Sequence, residues 1–372
     1  MLDGAIVPAA GALVATTSNG TGIVVVRGED AFGNRATWDL AGNLTVGNAG
    51  VAALSVAGGG EVRSATASIG AKSSSDATVT VSGSGALWAN SGDVDLGRGG
   101  ANETAKLTIN ALGRVEIGGE LDVFQTGTLE LLGGTLAVDH LDPAGGEIDF
   151  FGGRIETTLI TGNLVNDGGT LAPLSVPGGA DLTGNYTQNS GSLEVEIGGV
   201  TPGTEYDQLV VTGSASLAGG LSVVLANGFE PMLGDSFEVL VSGGLAGEFD
   251  QLFGTELGDG LVLTPIYDTP AGSVTLLVEV ALPGDYNLDG VVDAADYTVW
   301  RDRVGSAAGT LPSDVDGGVI GPSQYATWVA NFGASLPIVE TTAGVPEPST
   351  LLGIACLFGG SVVAWRRANV RA

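Results

Sequence analysis

Hydrophobic and polar positions alternate with period two along most of the chain up to Ala281, in short bursts. The clearest bursts are apolar–polar–apolar triplets: Leu54/Val56, Val79/Val81, Leu107/Ile109, Leu129/Leu131 and Ile148/Phe150. Their first members are 25, 28, 22 and 19 residues apart. Alternation puts every second side chain on one face of an extended chain, so each triplet predicts a strand with one buried face. A glycine or small-residue turn follows, then a second alternating piece such as Val115/Ile117 or Leu136/Val138. One such unit cannot bury its apolar face alone, whereas stacked neighbours can, and a repeat of roughly 20–25 residues is the length of one coil. The expected fold class is mainly β: a right-handed parallel β-solenoid over 44–198, a small all-β segment over 199–281, a small α module over 284–333, a linker over 334–348 and a C-terminal transmembrane helix within 349–372.

The flanks are less regular. Residues 1–43 are weakly patterned. Ile23 to Val26 predicts a strand, and Trp38 is expected to cover the open end of the coils as part of a cap. MLDGAIVPAAGALVA has no basic residue before its apolar stretch, so it reads as a poor secretory signal, and since the downstream segments look extracellular a truncated or misassigned start is the expectation. After Gly198, a Tyr206-Asp207 entry leads to strands near Leu209, Leu221, Phe237 and Val274, read as the last coils or a capping sandwich.

Composition narrows the function classes. Gly occurs 63 times and Pro 14 times, with no collagen-like period, so glycine marks turns between many short strands. There are 42 acidic residues against 13 basic ones, a net charge of -29, and Lys72 and Lys106 are the only lysines. Such a chain repels phosphate backbones, which excludes nucleic acid as a partner. The lone Cys356 rules out an internal disulfide, and the lone His140 reads as a turn residue between coils.

Candidate chemistry concentrates after Pro283. Counting Asp285 as position 1, side-chain oxygens fall at positions 1, 3, 5, 9 and 12: Asp285, Asn287, Asp289, Asp293 and Asp296. Gly290 takes position 6, where the sharp turn needs positive φ, and Val291 offers its carbonyl at position 7. Hard oxygen donors without Cys or His point to Ca²⁺. Tyr297, Trp300 and Val304 then follow at helical spacing, and Tyr325, Trp328 and Phe332 repeat them 28 residues later. A second, worn loop precedes them: Asp314 and Asp316 remain, but Ser313, Gly317 and Gln324 stand opposite Asp285, Asp289 and Asp296. The first loop is expected to bind calcium and the second is not.

Three resemblances follow. The repeats look like the passenger β-helix of autotransporters, and the segment from Glu205 is similar to the region that ends many such surface proteins. The two loop–helix units resemble a type I dockerin, which implies a cohesin-like partner. The tail has Val345-Pro-Glu-Pro-Ser349, a mostly apolar run from Leu351 to Trp365, and then Arg366 and Arg367. It resembles a PEP-CTERM sorting signal, which implies an exosortase-type sorting enzyme. It also implies transient membrane anchoring and a final place on the outer surface or in the extracellular matrix of a bacterium. The 15-residue apolar run spans about 22 Å as a helix, short of the roughly 30 Å hydrocarbon core, which suits a temporary anchor.

Two functions compete. One is a non-enzymatic structural or adhesion-type surface protein, with an extracellular polysaccharide among its partners. The other is a polysaccharide-active lyase or glycosidase on a β-helix, which needs carboxylates, or a basic residue beside bound calcium, converging on one face. Its nominees are Asp93/Asp95, Glu116, Asp139 and Asp149/Arg154. No long loops flank them to build a cleft, so the first function is the expectation.

Overall fold

The computed structural model describes residues 6–335, apart from 16, 18–19, 29–34, 101–102, 175–176 and 259–260. The protein is mainly β. The first twelve strands come in threes: β1 (Ile6–Ala9), β2 (Ala12–Val14) and β3 (Thr21–Arg27); β4 (Thr37–Leu40), β5 (Leu44–Val46) and β6 (Gly50–Ala57); β7 (Glu61–Ser64), β8 (Ala67–Ile69) and β9 (Ser75–Ser82); β10 (Leu87–Asn90), β11 (Val94–Leu96) and β12 (Thr104–Asn110). Each strand pairs in parallel with the strand three places on, which gives three ladders. The first ladder runs through β1, the second through β2 and the third through β3.

From β13 (Arg114–Val123) the corners tighten and strands run across them, as in β14 (Gly127–Asp142), β15 (Glu147–Ile160) and β16 (Leu164–Pro173). Register shifts at Ile117/Glu120 and Leu132/Thr135 mark such corners. Parallel pairing continues through β17 (Gly179–Leu182), β18 (Tyr186–Ile197), β19 (Gln208–Leu217), β20 (Gly220–Leu225), β21 (Ser236–Gly247) and β22 (Gln251–Phe253). It gives way to antiparallel pairing in β23 (Glu256–Gly258), β24 (Leu261–Asp268) and β25 (Ser273–Val280), where β25 lies between β24 and β21. The strands form one hydrogen-bonded sheet closed round a continuous apolar core.

The sequence triplets explain this arrangement. Leu54, Val79, Leu107, Leu129 and Ile148 are register neighbours in that order, and so are Val56, Val81, Ile109, Leu131 and Phe150. All but the half-buried Ile148 are buried. At Phe150 the core needs a missing side chain: a Cβ on Gly169 would lie 1.9 Å from the ring. Trp88, fully buried, donates from its indole nitrogen to Ser64 Oγ at 3.0 Å, and Ser64 donates to Asn90 Oδ1 at 2.7 Å. A buried indole N–H without a partner would be costly, so this chain of bonds is what admits a tryptophan here.

Two expectations are corrected. The described residues of 1–43 do not form a separate kind of cap, because β1 to β4 belong to the same ladders as the strands that follow. Trp38 lies within them, paired with Val7 and Val62, rather than over an open end. The alternation is faint there because β1 and β2 hold only four and three residues. His140 is not at a turn but near the end of β14. The Tyr206-Asp207 entry is a tie. Asp207 is buried, and its carboxylate accepts from the Gly178 amide at 2.5 Å and from the Glu196 amide at 2.8 Å. Burial still pushes its pKa up to about 6, with those two amides opposing the shift.

Two helices follow the strands: α1 (Ala294–Arg303) and α2 (Pro322–Asn331). Among the described residues, no helix is long and apolar enough to cross a membrane. The expected linker, beyond its first two residues, and the expected transmembrane tail lie outside the described residues.

Glu103 generates a prediction. It is 4 % exposed, and neither carboxylate oxygen has a well-formed hydrogen bond. Burial pushes its pKa up to about 7, although the Gly99 and Gly100 amides approach and offset part of the shift. A raised carboxyl pKa means the folded state holds the proton more tightly. The stability it confers is complete below the unfolded value and is lost as pH rises through about 7. Glu103→Gln is expected to stabilise the protein by about 1–3 kcal/mol at pH 8 and to change little at pH 4, measured by thermal melting at both.

Candidate metal centre

Asp285 opens the loop before α1. Gly290 turns it with φ +82°, and Leu288 also sits at positive φ, +59°. Asp285 is 3 % exposed and Asp296 is fully buried. The Asp285 carboxylate accepts from the Asp289 amide at 3.2 Å and from the Gly290 amide at 2.8 Å. One Asp296 oxygen accepts from the Tyr286 and Asn287 amides at 2.7 and 3.0 Å, and the other from Asp293 N at 2.7 Å. Asp293 in turn caps α1 by accepting from Ala295 N at 2.7 Å. Asn287, Asp289 and Val291 are exposed on the rim, with Asn287 Nδ2 donating to Asp289 at 2.8 Å.

Burial pushes the Asp285 pKa up, and the charges of Asp296 and Asp289 push it further, against the Gly290 and Asp289 amides. None of the ion pairs among the described residues reaches these carboxylates. A carboxylate has about four acceptor sites, so the amide bonds leave capacity for a cation. The residues therefore fit a hard divalent ion: Asp285, Asn287, Asp289, Asp293, Asp296 and the Val291 carbonyl would hold it. The carboxylates have not drawn together. Among the described residues, the trio of candidate ligands lying within 4.8 Å of one another is found elsewhere, at Glu120, His140 and Asp142.

The second loop has a different solution. Gln324, fully buried at the place of Asp296, accepts from Gly321 N at 2.8 Å as Asp296 accepts from Asp293 N. Its amide nitrogen donates to Asp314 Oδ2 at 3.3 Å and to the Gly317 carbonyl at 2.9 Å. The loop oxygens are thus gathered by a neutral N–H donor that belongs to the chain.

The two halves otherwise mirror each other. The Trp300 indole donates to Gly321 O at 2.9 Å and the Trp328 indole to Asp293 O at 2.8 Å, so each tryptophan binds the residue before the other helix. Tyr297, Trp300, Tyr325 and Trp328 stack with ring centroids 4.9–6.2 Å apart. Tyr286, Leu311 and Ile320 form a small core of their own beneath. Val304 and Phe332 end the helices as exposed caps. Leu252 N donates to Gly309 O at 3.0 Å and ties this unit to β22.

The carboxylates nominated for catalysis do not converge. Glu116 lies on the first ladder and ion-pairs with Arg114 at 2.7 Å. Arg154 is neutralised there by Glu156 and Glu194 at 2.8 and 2.7 Å. Asp95 lies on the second ladder and pairs with Arg98. Asp93 accepts from Glu120 N at 3.0 Å. Asp149 lies on the third ladder beside Glu130, its pKa pushed up by burial and then by Glu147 and Glu130. At Asp139 the backbone carbonyl accepts from Thr158 at 2.7 Å. The Glu120–His140–Asp142 trio was missed in the sequence because its members are brought together by ladder register, which spacing alone does not give. Comparison with protein-family models and with curated proteins finds no match.

For the second loop, Gln324→Ala removes the donor to Asp314 and Gly317 and the acceptor for Gly321. It is expected to cost about 1–3 kcal/mol, read as faster hydrogen exchange over residues 314–324.

Proposed function

We propose that the chain is an exported, non-enzymatic surface or extracellular-matrix protein of a bacterium. In this reading the strands form a right-handed parallel β-solenoid stalk. The helical unit is a dockerin-like calcium module, and the segment from Val345 is a sorting tail processed by an exosortase-type enzyme. The observation that carries the calcium assignment is the first loop, where buried Asp285 and Asp296 face the rim oxygens of Asn287 and Asp289 with no cationic side chain paired to them. The scaffold assignment is supported by the three ladders, which are laced by ion pairs between strands at Lys106–Glu130, Arg114–Glu156 and Arg154–Glu194. A cohesin-like protein and an extracellular polysaccharide are the partners this reading admits.

Calcium would supply folding free energy by binding the native loop alone, about 2.7 kcal/mol at a hundredfold excess over Kd. Titration of the full chain is expected to fill one site and raise the melting temperature. Asp289→Ala should abolish the rise, and Asp316→Ala should leave it. Two filled sites, or no response to calcium or chelator, would reject the assignment.

Sorting is tested in cells. Membrane retention is expected to depend on Leu351 to Trp365, and processing on Pro346-Glu347-Pro348. A Glu347→Ala chain released like the wild type would sink the sorting reading while leaving the calcium result untouched.

A further inference from the structure

The second ladder carries an outward-facing group that neither the loop nor the stalk uses. Leu121 and Leu141 are buried, so Glu120, Asp122, His140 and Asp142, which flank them in sequence, point out of the sheet. Glu120 is the register partner of His140, and Asp122 of Asp142, on adjacent strands roughly 4.8 Å apart. One ligand atom from each of Glu120, His140 and Asp142 lies within 4.8 Å of the other two, and all three side chains are half-buried.

His140 is held at both nitrogens. Its Nδ1 is 2.8 Å from Glu120 Oε1, and its Nε2 is 2.6 Å from Thr161 Oγ1. If Nε2–H donates to Thr161, the Nδ1 lone pair and a carboxylate oxygen face each other with a cation or proton needed between them. If Nδ1–H donates to Glu120, the Thr161 hydroxyl donates to Nε2, and metal binding at Nδ1 would move the ring proton to Nε2, with the hydroxyl turning to accept it. With Nε2–H donating to the Thr161 hydroxyl, the ring is oriented through that nitrogen while Nδ1 faces the carboxylate, the arrangement seen where a ligand histidine is fixed through its other nitrogen. Asp122 and Asp95 continue the column, so the local field is strongly negative. Arg98, the nearby cation, is already paired with Asp95 at 2.7 Å.

We propose that Glu120, His140 and Asp142 bind a divalent transition ion of the zinc type, with water completing the coordination. One imidazole and two carboxylates favour zinc over calcium or magnesium, which take oxygen ligands alone. Ligands of a tetrahedral zinc lie about 3.3 Å apart, so side-chain rotation alone opens the 2.8 Å gap. The site is separate from the calcium loop, and neither reading depends on the other.

The test is zinc titration of the full chain saturated with calcium, followed by calorimetry and, with Co²⁺ in place of Zn²⁺, by visible absorption. The Cys356→Ser chain serves as the reference, so that the one thiol cannot contribute. The expected result is one zinc site, weakened at least tenfold by His140→Gln and by Asp142→Asn, with the Co²⁺ spectrum altered by the histidine change. Thr161→Val, which touches only the ring's other nitrogen, should weaken binding about tenfold without changing stoichiometry. Far-ultraviolet circular dichroism checks that each variant keeps its fold, and Asp142→Asn decides the matter if the histidine variant does not. No zinc binding by the reference chain, or binding unchanged in the folded variants, would overturn the site.

Discussion

The structure depends on parallel backbone hydrogen bonding in register between one turn of chain and the next. Once Leu54 stands beside Val79 and Val79 beside Leu107, inward positions must coincide all along the ladder, because a slip of one residue would turn every apolar side chain outward. The same rule governs the outside. It sets Glu120 beside His140 and Asp122 beside Asp142 as strictly as it sets Leu121 beside Leu141. Like charges stacked this way repel, and the burial, Glu120 and Asp142 together push the Asp122 pKa up. Where a basic column, Arg114 and Arg154, stands beside an acidic one, Glu116 and Glu156, register yields ion pairs across the two columns instead.

The helical unit solves the same problem of gathering oxygen atoms in two ways. Its halves share the reciprocal tryptophan bonds and the central ring stack, so the backbone frame is common to both. Difference enters at one side chain. Asp296 adds a negative charge to a loop already holding Asp285 and Asp289, whereas Gln324 brings an N–H donor to Asp314 and the Gly317 carbonyl. A carboxylate at that place leaves a charge to be balanced, and an amide does not.

Much of this was legible in the sequence. Period-two triplets are local, so Leu107/Ile109 and Leu129/Leu131 announce strands without knowledge of their neighbours. The 28-residue echo of Trp300 in Trp328 announces a repeated unit. Three features were not legible. The first turns are built from strands of three and four residues, too short for alternation to stand out. The lone His140 reads as a turn residue, yet β14 runs past Gly133 and Gly134 to Asp142. Glu103 looks like any acidic loop residue, and only the packing of Gly70 and Gly99 against its carboxylate reveals its burial.

The register also fixes how such a chain can change length. Glu61 and Leu87 are partners on the first ladder, so a chain that lost residues 61–86 would bring Leu87 to the place of Glu61 with its inward and outward sides unchanged. Each of the three ladders would lose one strand, roughly 4.8 Å, and the cut ends would already be neighbours. Loss of half that stretch would instead shift one ladder against the other two. The length of the ladders is therefore counted in whole sets of three strands, in discrete steps like the marks of a ruler.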